Sequence, residues 1–157
     1  MDRVVSFGVI LMSRITFKRK PMPIYAGFRP LFKICQILLI LDLASRAKSS
    51  SLIRLHLFVW ILKDDQRKEM LLNIVKEKLE IPIVWGIEPS VNFALQFAIA
   101  EGFIIKSGVS YKLSPVGMHF LKNSNAYDLF SDETIFLNKI GSKITEKMVD
   151  TATNLWK

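Results

Sequence analysis

VNFALQFAIAEGFIIKSGVSYKLSPVGMHFLKN, Val91 to Asn123, sets out an amphipathic helix, a tight two-strand turn and a second helix, in that order. Val91, Ala94, Leu95 and Ala98 recur at the three-and-four spacing that lines one stripe of a helix against a core. Gly102 closes this helix. Phe103 to Ile105 and Val109 to Leu113 read as short strands around Ser107-Gly108, where glycine supplies the positive φ that a tight turn needs. Ser114-Pro115 opens the next helix. A serine at the N-cap accepts from an orphan amide, and proline at the first helical position gives up no hydrogen bond. Gly117 and Phe120 follow within it.

That order is the back half of a winged helix, and the flanking sequence extends it. RPLFKICQILLILDLAS, entered at Pro30, predicts a first core helix with Leu31, Ile34, Ile37, Leu38 and Leu41 inward and Lys33 outward. Lys48 to Ser51 reads as a break. SLIRLHLFVWILK is apolar nearly all round, the mark of a helix buried on more than one side, shared between the domain centre and another subunit. Asp65 to Glu80 reads as a third helix with Met70, Leu71, Ile74, Val75 and Leu79 inward. Ile81 to Trp85 is expected to add a third strand, confined to an edge by Pro82. ETIFLNKIGSKITEKMVDTATNLWK reads as one long amphipathic helix through Ile140, Ile144, Met148 and Leu155, kinked at Gly141. The fold class is mostly α (α+β): a winged helix-turn-helix with a small β-hairpin wing and an extra C-terminal helix. Its expected parts are a basic segment 1–29, the winged-helix domain 30–123 and the C-terminal helix 124–157.

Winged helices commonly hold DNA, yet the helix that would enter the major groove is poorly equipped for it. From Pro89 to Glu101 there is no Lys or Arg, and acids stand at both ends as Glu88 and Glu101. Phosphate attraction dominates affinity for a duplex. Asn92 and Gln96, four apart on one face, have the chemistry to bond adenine edges. Phe93 and Phe97 beside them suit a protein groove, and both are candidate partner-interface residues, as are Leu155 and Trp156 near the C-terminus.

Net charge is +8 and the pI about 9.7, which invites a nucleic-acid reading. The charge is unevenly spread. Residues 1–54 hold ten Lys and Arg against two acids, whereas residues 55–157 hold twelve against twelve. Any phosphate surface is therefore expected in the first third, where Arg3, Arg14, Lys18, Arg19, Lys20, Arg29, Lys33, Arg46, Lys48 and Arg54 lie. Lys18, Arg19 and Lys20, followed by Pro21 and Pro23, read as an exposed basic loop. Lys18, Arg19, Lys20, Arg29 and Lys33, with Lys106 and Lys112 on the wing, are the candidate nucleic-acid contacts.

Half the residues are hydrophobic and the mean hydropathy is +0.28, high enough to expect a partner over apolar surface. The uninterrupted apolar runs, Ile37 to Leu41 and Leu57 to Leu62, fall short of the about 18 residues of a membrane-spanning helix. VVSFGVILM near the start lacks a small-x-small cleavage site after it and reads as a strand or docking segment. Cys35, the single cysteine, has no disulfide partner and reads as a small buried hydrophobe, consistent with a reducing cytoplasm. His56 and His119 sit in apolar helical contexts, too few and too scattered for a metal. Asp64-Asp65 and Asp132-Glu133 fall where helices begin, where negative charge suits the macrodipole. No phosphate-binding glycine loop is present. No cofactor, small-molecule substrate or catalytic activity is expected.

Taken together, the Arg29-Pro30 entry, the LHLFVWILK helix, the hairpin followed by YKLSPVGMHFLKN, and the KIGSKITEKMVD tail resemble the small winged-helix middle components of bacterial ABC-three-component systems, related to the Lamassu group of antiphage defence systems. The likeness covers residues 24–157 and rests on the order and spacing of elements. It implies a non-catalytic accessory subunit bound to an SMC-like ATPase that works with an effector such as a nuclease, with DNA as a further partner of the basic first third. The alternative from another class is a homodimeric winged-helix transcription regulator, in which Asn92 and Gln96 read bases and Lys106 and Lys112 hold phosphates.

Overall fold

The computed structural model describes residues 30–156. Among these, the order is α1 (Pro30–Leu43), β1 (Ser49–Ser51), α2 (Leu52–Leu62), α3 (Asp65–Glu77), α4 (Pro89–Ala100), β2 (Ile104–Ser107), β3 (Ser110–Leu113), α5 (Pro115–Asn123), α6 (Ala126–Leu129), α7 (Ser131–Ile140) and α8 (Glu146–Asn154). The architecture is mostly helical with one small antiparallel sheet.

The unbroken apolar run of α1 makes it the central helix rather than a one-sided one. Every residue from Lys33 to Leu41 is buried, with α2, α4, α5 and α7 packed around it. Cys35 lies inside this packing, and burial pushes its thiol up to about 12. Ser51 caps α2 by accepting from the Arg54 amide. From Arg54 to Val59 no side chain of α2 reaches solvent, so this chain itself covers both apolar faces. The second face assigned from sequence to a neighbouring subunit is corrected to own core.

Asp64 caps α3 through the Gln66 amide, as the carboxylate pair predicts. The helix stops at Glu77, earlier than expected, because Lys78 turns left-handed at φ 53° and the Leu79 amide closes back on the Ile74 carbonyl at 2.9 Å. That closing turn throws Leu79 outward, 55% exposed, where the sequence placed it inward. Ile81 to Trp85 forms no strand. It is anchored by buried Ile81 and Trp85, and the Trp85 indole donates to the Ile53 carbonyl at 3.1 Å.

The third strand comes instead from the stretch read as a break. Ser49, Ser50 and Ser51 pair antiparallel with Lys112, Tyr111 and Ser110, and the sheet order is β1-β3-β2. Three serines carry no hydrophobic alternation, so periodicity had nothing to report there. The predicted hairpin is present: buried Ile104 and Leu113 face each other at its root, Ser107 and Ser110 at its tip, with Gly108 at φ 59°. Ser114 caps α5 through the Gly117 amide. Gly117 is required by proximity. A Cβ there would run into the Phe103 carbonyl oxygen and lie 2.7 Å from Leu113 Cδ1, so α5 sits down on the hairpin root, where Phe103 stacks on Phe120 at 4.6 Å.

The long C-terminal helix expected from residue 124 onward is three helices. Asn125 enters α6 in the left-handed region, and Gly141, at φ 53° and ψ −145°, ends α7 rather than kinking it. Thr145 then starts α8 as a fresh N-cap on the Met148 amide. Of the residues expected inward, Ile140 and Ile144 are buried, but Met148 is only half-buried and Leu155 is exposed; α8 turns Val149 and Ala152 inward instead. The stripe thus reaches only Ile144 past the break, and the following helix brings a different apolar side to the same core.

Candidate protein-interaction site

On α4 the predicted stripe of Val91, Ala94, Leu95 and Ala98 is buried. The other side carries Asn92, Phe93, Gln96, Phe97 and Ile99 in solvent, with Phe93 61%, Phe97 41% and Ile99 37% exposed. The absence of any cation makes this face apolar and amide-bearing rather than electropositive.

The entry to α4 is built around Glu88, and its charge is turned inward. Its carboxylate lies 3.6 Å from Lys33 Nζ and also holds Lys63, while its backbone amide donates to His56 Nδ1 at 3.1 Å. Lys33 is therefore a correction. The sequence placed it outside as a candidate phosphate contact, but it is 2% exposed, and burial pulls its ammonium below the usual lysine value. Burial likewise holds His56 below the ordinary histidine range, with the Asn92 side chain pulling the other way. His56 is thus neutral at pH 7 and serves as an acceptor.

Arg54 is committed in the same way. Its guanidinium donates to the Ala44 carbonyl, the Ile144 carbonyl at 2.9 Å and Ser45 Oγ at 2.8 Å, with Glu146 at 3.8 Å and the Phe58 ring 4.7 Å beneath it. It ties the end of α1 to the start of α8, and burial lowers its pKa to about 10 against the opposing pull of Glu146. Lys48 donates to Asp42 at 2.5 Å, and Asp42 also accepts from the Tyr127 hydroxyl at 2.6 Å. Of the four cations in residues 30–54, three serve internal carboxylates or carbonyls, and Arg46 stays exposed. Lys18, Arg19, Lys20 and Arg29 lie outside the described residues.

Lys106 and Lys112 are exposed, but the hairpin does not bring them together. Lys106 is opposite Tyr111, the residue next to Lys112, so the two lysines leave opposite faces of the pleat. Lys106 instead lies 5.7 Å from the Tyr111 ring. At the far end Leu155 is 70% exposed, whereas Trp156 packs edge-on against Trp85 at 4.7 Å. Trp156, expected either to pack on its own chain or to meet a partner, is half-buried and packs on its own chain.

Sequence reasoning missed a second surface. Between α3 and the α7–α8 corner runs a groove of about 780 Å³, with Leu72, Ile74, Val75, Leu79 and Met148 along its floor. Around it stand Lys76, Lys78, Lys139, Lys143 and Lys147, all exposed, with Glu80 the one acid in the lining. None of the five lysines pairs with a carboxylate among the described residues. The spacing of four in Lys139, Lys143 and Lys147 was the available signal; it was hidden because residues 55–157 sum to zero charge.

Among the described residues, no group of three or more His, Cys, Asp or Glu side chains converges to hold a metal. No helix among them is long and apolar enough to cross a membrane. Comparison with known proteins gives no match to any family model, curated protein or solved structure.

Proposed function

We infer that the protein is a winged-helix variant acting as a non-catalytic accessory subunit that docks on a larger partner. Given the resemblance described above, that partner is an SMC-like ABC ATPase of an antiphage defence complex, working with an effector such as a nuclease. The observation that carries this reading is the outward face of α4, where a DNA-reading helix would need cations and this one has exposed Phe93 and Ile99 beside Asn92 and Gln96. Large aromatic side chains held in solvent on a rigid helix are the usual anchors of protein interfaces. Charge points the same way, because Glu88 sits at the helix start and the wing lysines face apart. If DNA is touched within such a complex, the contact falls to Arg3, Arg14, Lys18, Arg19, Lys20 and Arg29.

Co-expression with a long coiled-coil ATPase, where a neighbouring gene encodes one, tests the reading. The chain is expected to copurify with it, and Phe93→Ser is expected to weaken the complex at least about tenfold, as loss of a central aromatic does. A free homodimer that binds one duplex sequence in preference to others, with that preference relaxed by Asn92→Ala, would replace the adaptor with the regulator.

A further inference from the structure

The lysine-rimmed groove lies apart from α4 and asks for an occupant of its own. Lys139, Lys143 and Lys147 come from the α7–α8 corner and Lys76 and Lys78 from the end of α3, so two elements converge to place like charges around one apolar floor. Like charges gathered without counter-ions gain when an anionic partner neutralises them. The floor has a second demand. Leu79 is 55% exposed, and Leu72, Val75 and Met148 are only half-buried, so an occupant that brings apolar groups along with its acids removes surface from water as well.

We propose that this groove docks an acidic amphipathic helix of a partner protein. A helix about 10 Å across fills roughly 400 Å³ per turn, so the 780 Å³ groove seats about three to four turns lying half sunk. Leucine-like residues on its inner stripe would meet Leu72, Leu79 and Met148, and flanking Glu or Asp would meet the lysines, the helix-in-groove mode of recognition. A methionine in the floor adapts to imperfect shapes. Charge rules out the remainder of this chain as occupant, because residues 1–29 hold six Lys and Arg against one acid. A duplex answers the lysines and leaves the floor without an apolar complement.

The test uses the full chain and a fluorescein-labelled peptide of about four helical turns, leucine on one stripe and glutamate elsewhere, followed by fluorescence anisotropy. Saturable binding that weakens with salt is expected. Combined Lys139→Gln, Lys143→Gln and Lys147→Gln is expected to weaken it at least about tenfold, three surface ion pairs together. Leu79→Gln is expected to weaken it as well. All four side chains are exposed, and unchanged thermal melting confirms that the variants fold. The proposal is overturned if no saturation is reached by about 1 mM, or if a peptide with its leucines changed to glutamine binds equally well. It is also overturned if duplex DNA outcompetes the peptide and loses that advantage in the triple variant. A concentration-dependent doubling of mass that the triple variant abolishes would assign the groove to a second copy and end the proposal.

Discussion

Two sets of cations in this protein have opposite fates. Lys33 and Arg54 belong to the basic first third, the part where charge counting seeks a partner, and both are sealed inside, on Glu88 and on main-chain carbonyls. Lys139, Lys143 and Lys147 belong to the part that sums to neutrality, and all three stand free in solvent around an apolar floor. Net charge over a stretch of sequence counts cations without asking which already have a partner. Burial decides that, and burial follows from topology.

Substitutions separate the two sets. Arg54→Met should have the largest effect, a loss of about 3–5 kcal/mol in urea unfolding, because the carbonyls of Ala44 and Ile144 lose their donor and Glu146 its counter-ion. A loss below about 1 kcal/mol would mean the guanidinium is only lodged there. Glu88→Gln comes next, at about 2–3 kcal/mol, since it leaves Lys33 buried and charged without a carboxylate; adding Lys33→Met should restore much of the loss.

A pH series sharpens the same contrast. The neutral imidazole of His56 accepts from the Glu88 amide and its pKa is held down by burial, so its contribution to stability is complete above 6.5 and is lost as pH falls below that value. Stability of the parent should therefore drop between pH 7.5 and 5.5 more steeply than that of His56→Asn, whose amide oxygen can still accept from Glu88. Glu101 and Glu133, pushed up by burial, act with the opposite sign in both proteins and cancel in the comparison. Smallest of all, the triple change of Lys139, Lys143 and Lys147 to glutamine should alter stability by less than about 0.5 kcal/mol. A larger loss would show that these lysines support the fold after all.

The helices of the core and the hairpin were legible because their signals are local. Three-and-four spacing gave the buried stripe of α4, and Ser114-Pro115 gave the start of α5. β1 was illegible because its pairing with β3 is made by serine backbone, which leaves no trace in side-chain pattern. The break at Gly141 was underestimated because the apolar stripe continues in register across it through Ile140 and Ile144. On the interaction surfaces, the outward residues of α4 followed directly from its inward ones. Lys33 was misplaced because helical spacing assumes one solvent face, and α1 has none between Lys33 and Leu41. The groove needed α3 beside the α7–α8 corner, a long-range fact that no local window holds.

The contact between Trp85 and Trp156 makes the C-terminal end optically visible. The chain has three tryptophans, and two of them lie 4.7 Å apart at 75°, close enough for their excited states to couple. Near-ultraviolet dichroism thus carries a built-in reading of whether the end of α8 is seated on the loop before α4. Any partner that lifts the last residues away would announce itself spectroscopically without a label.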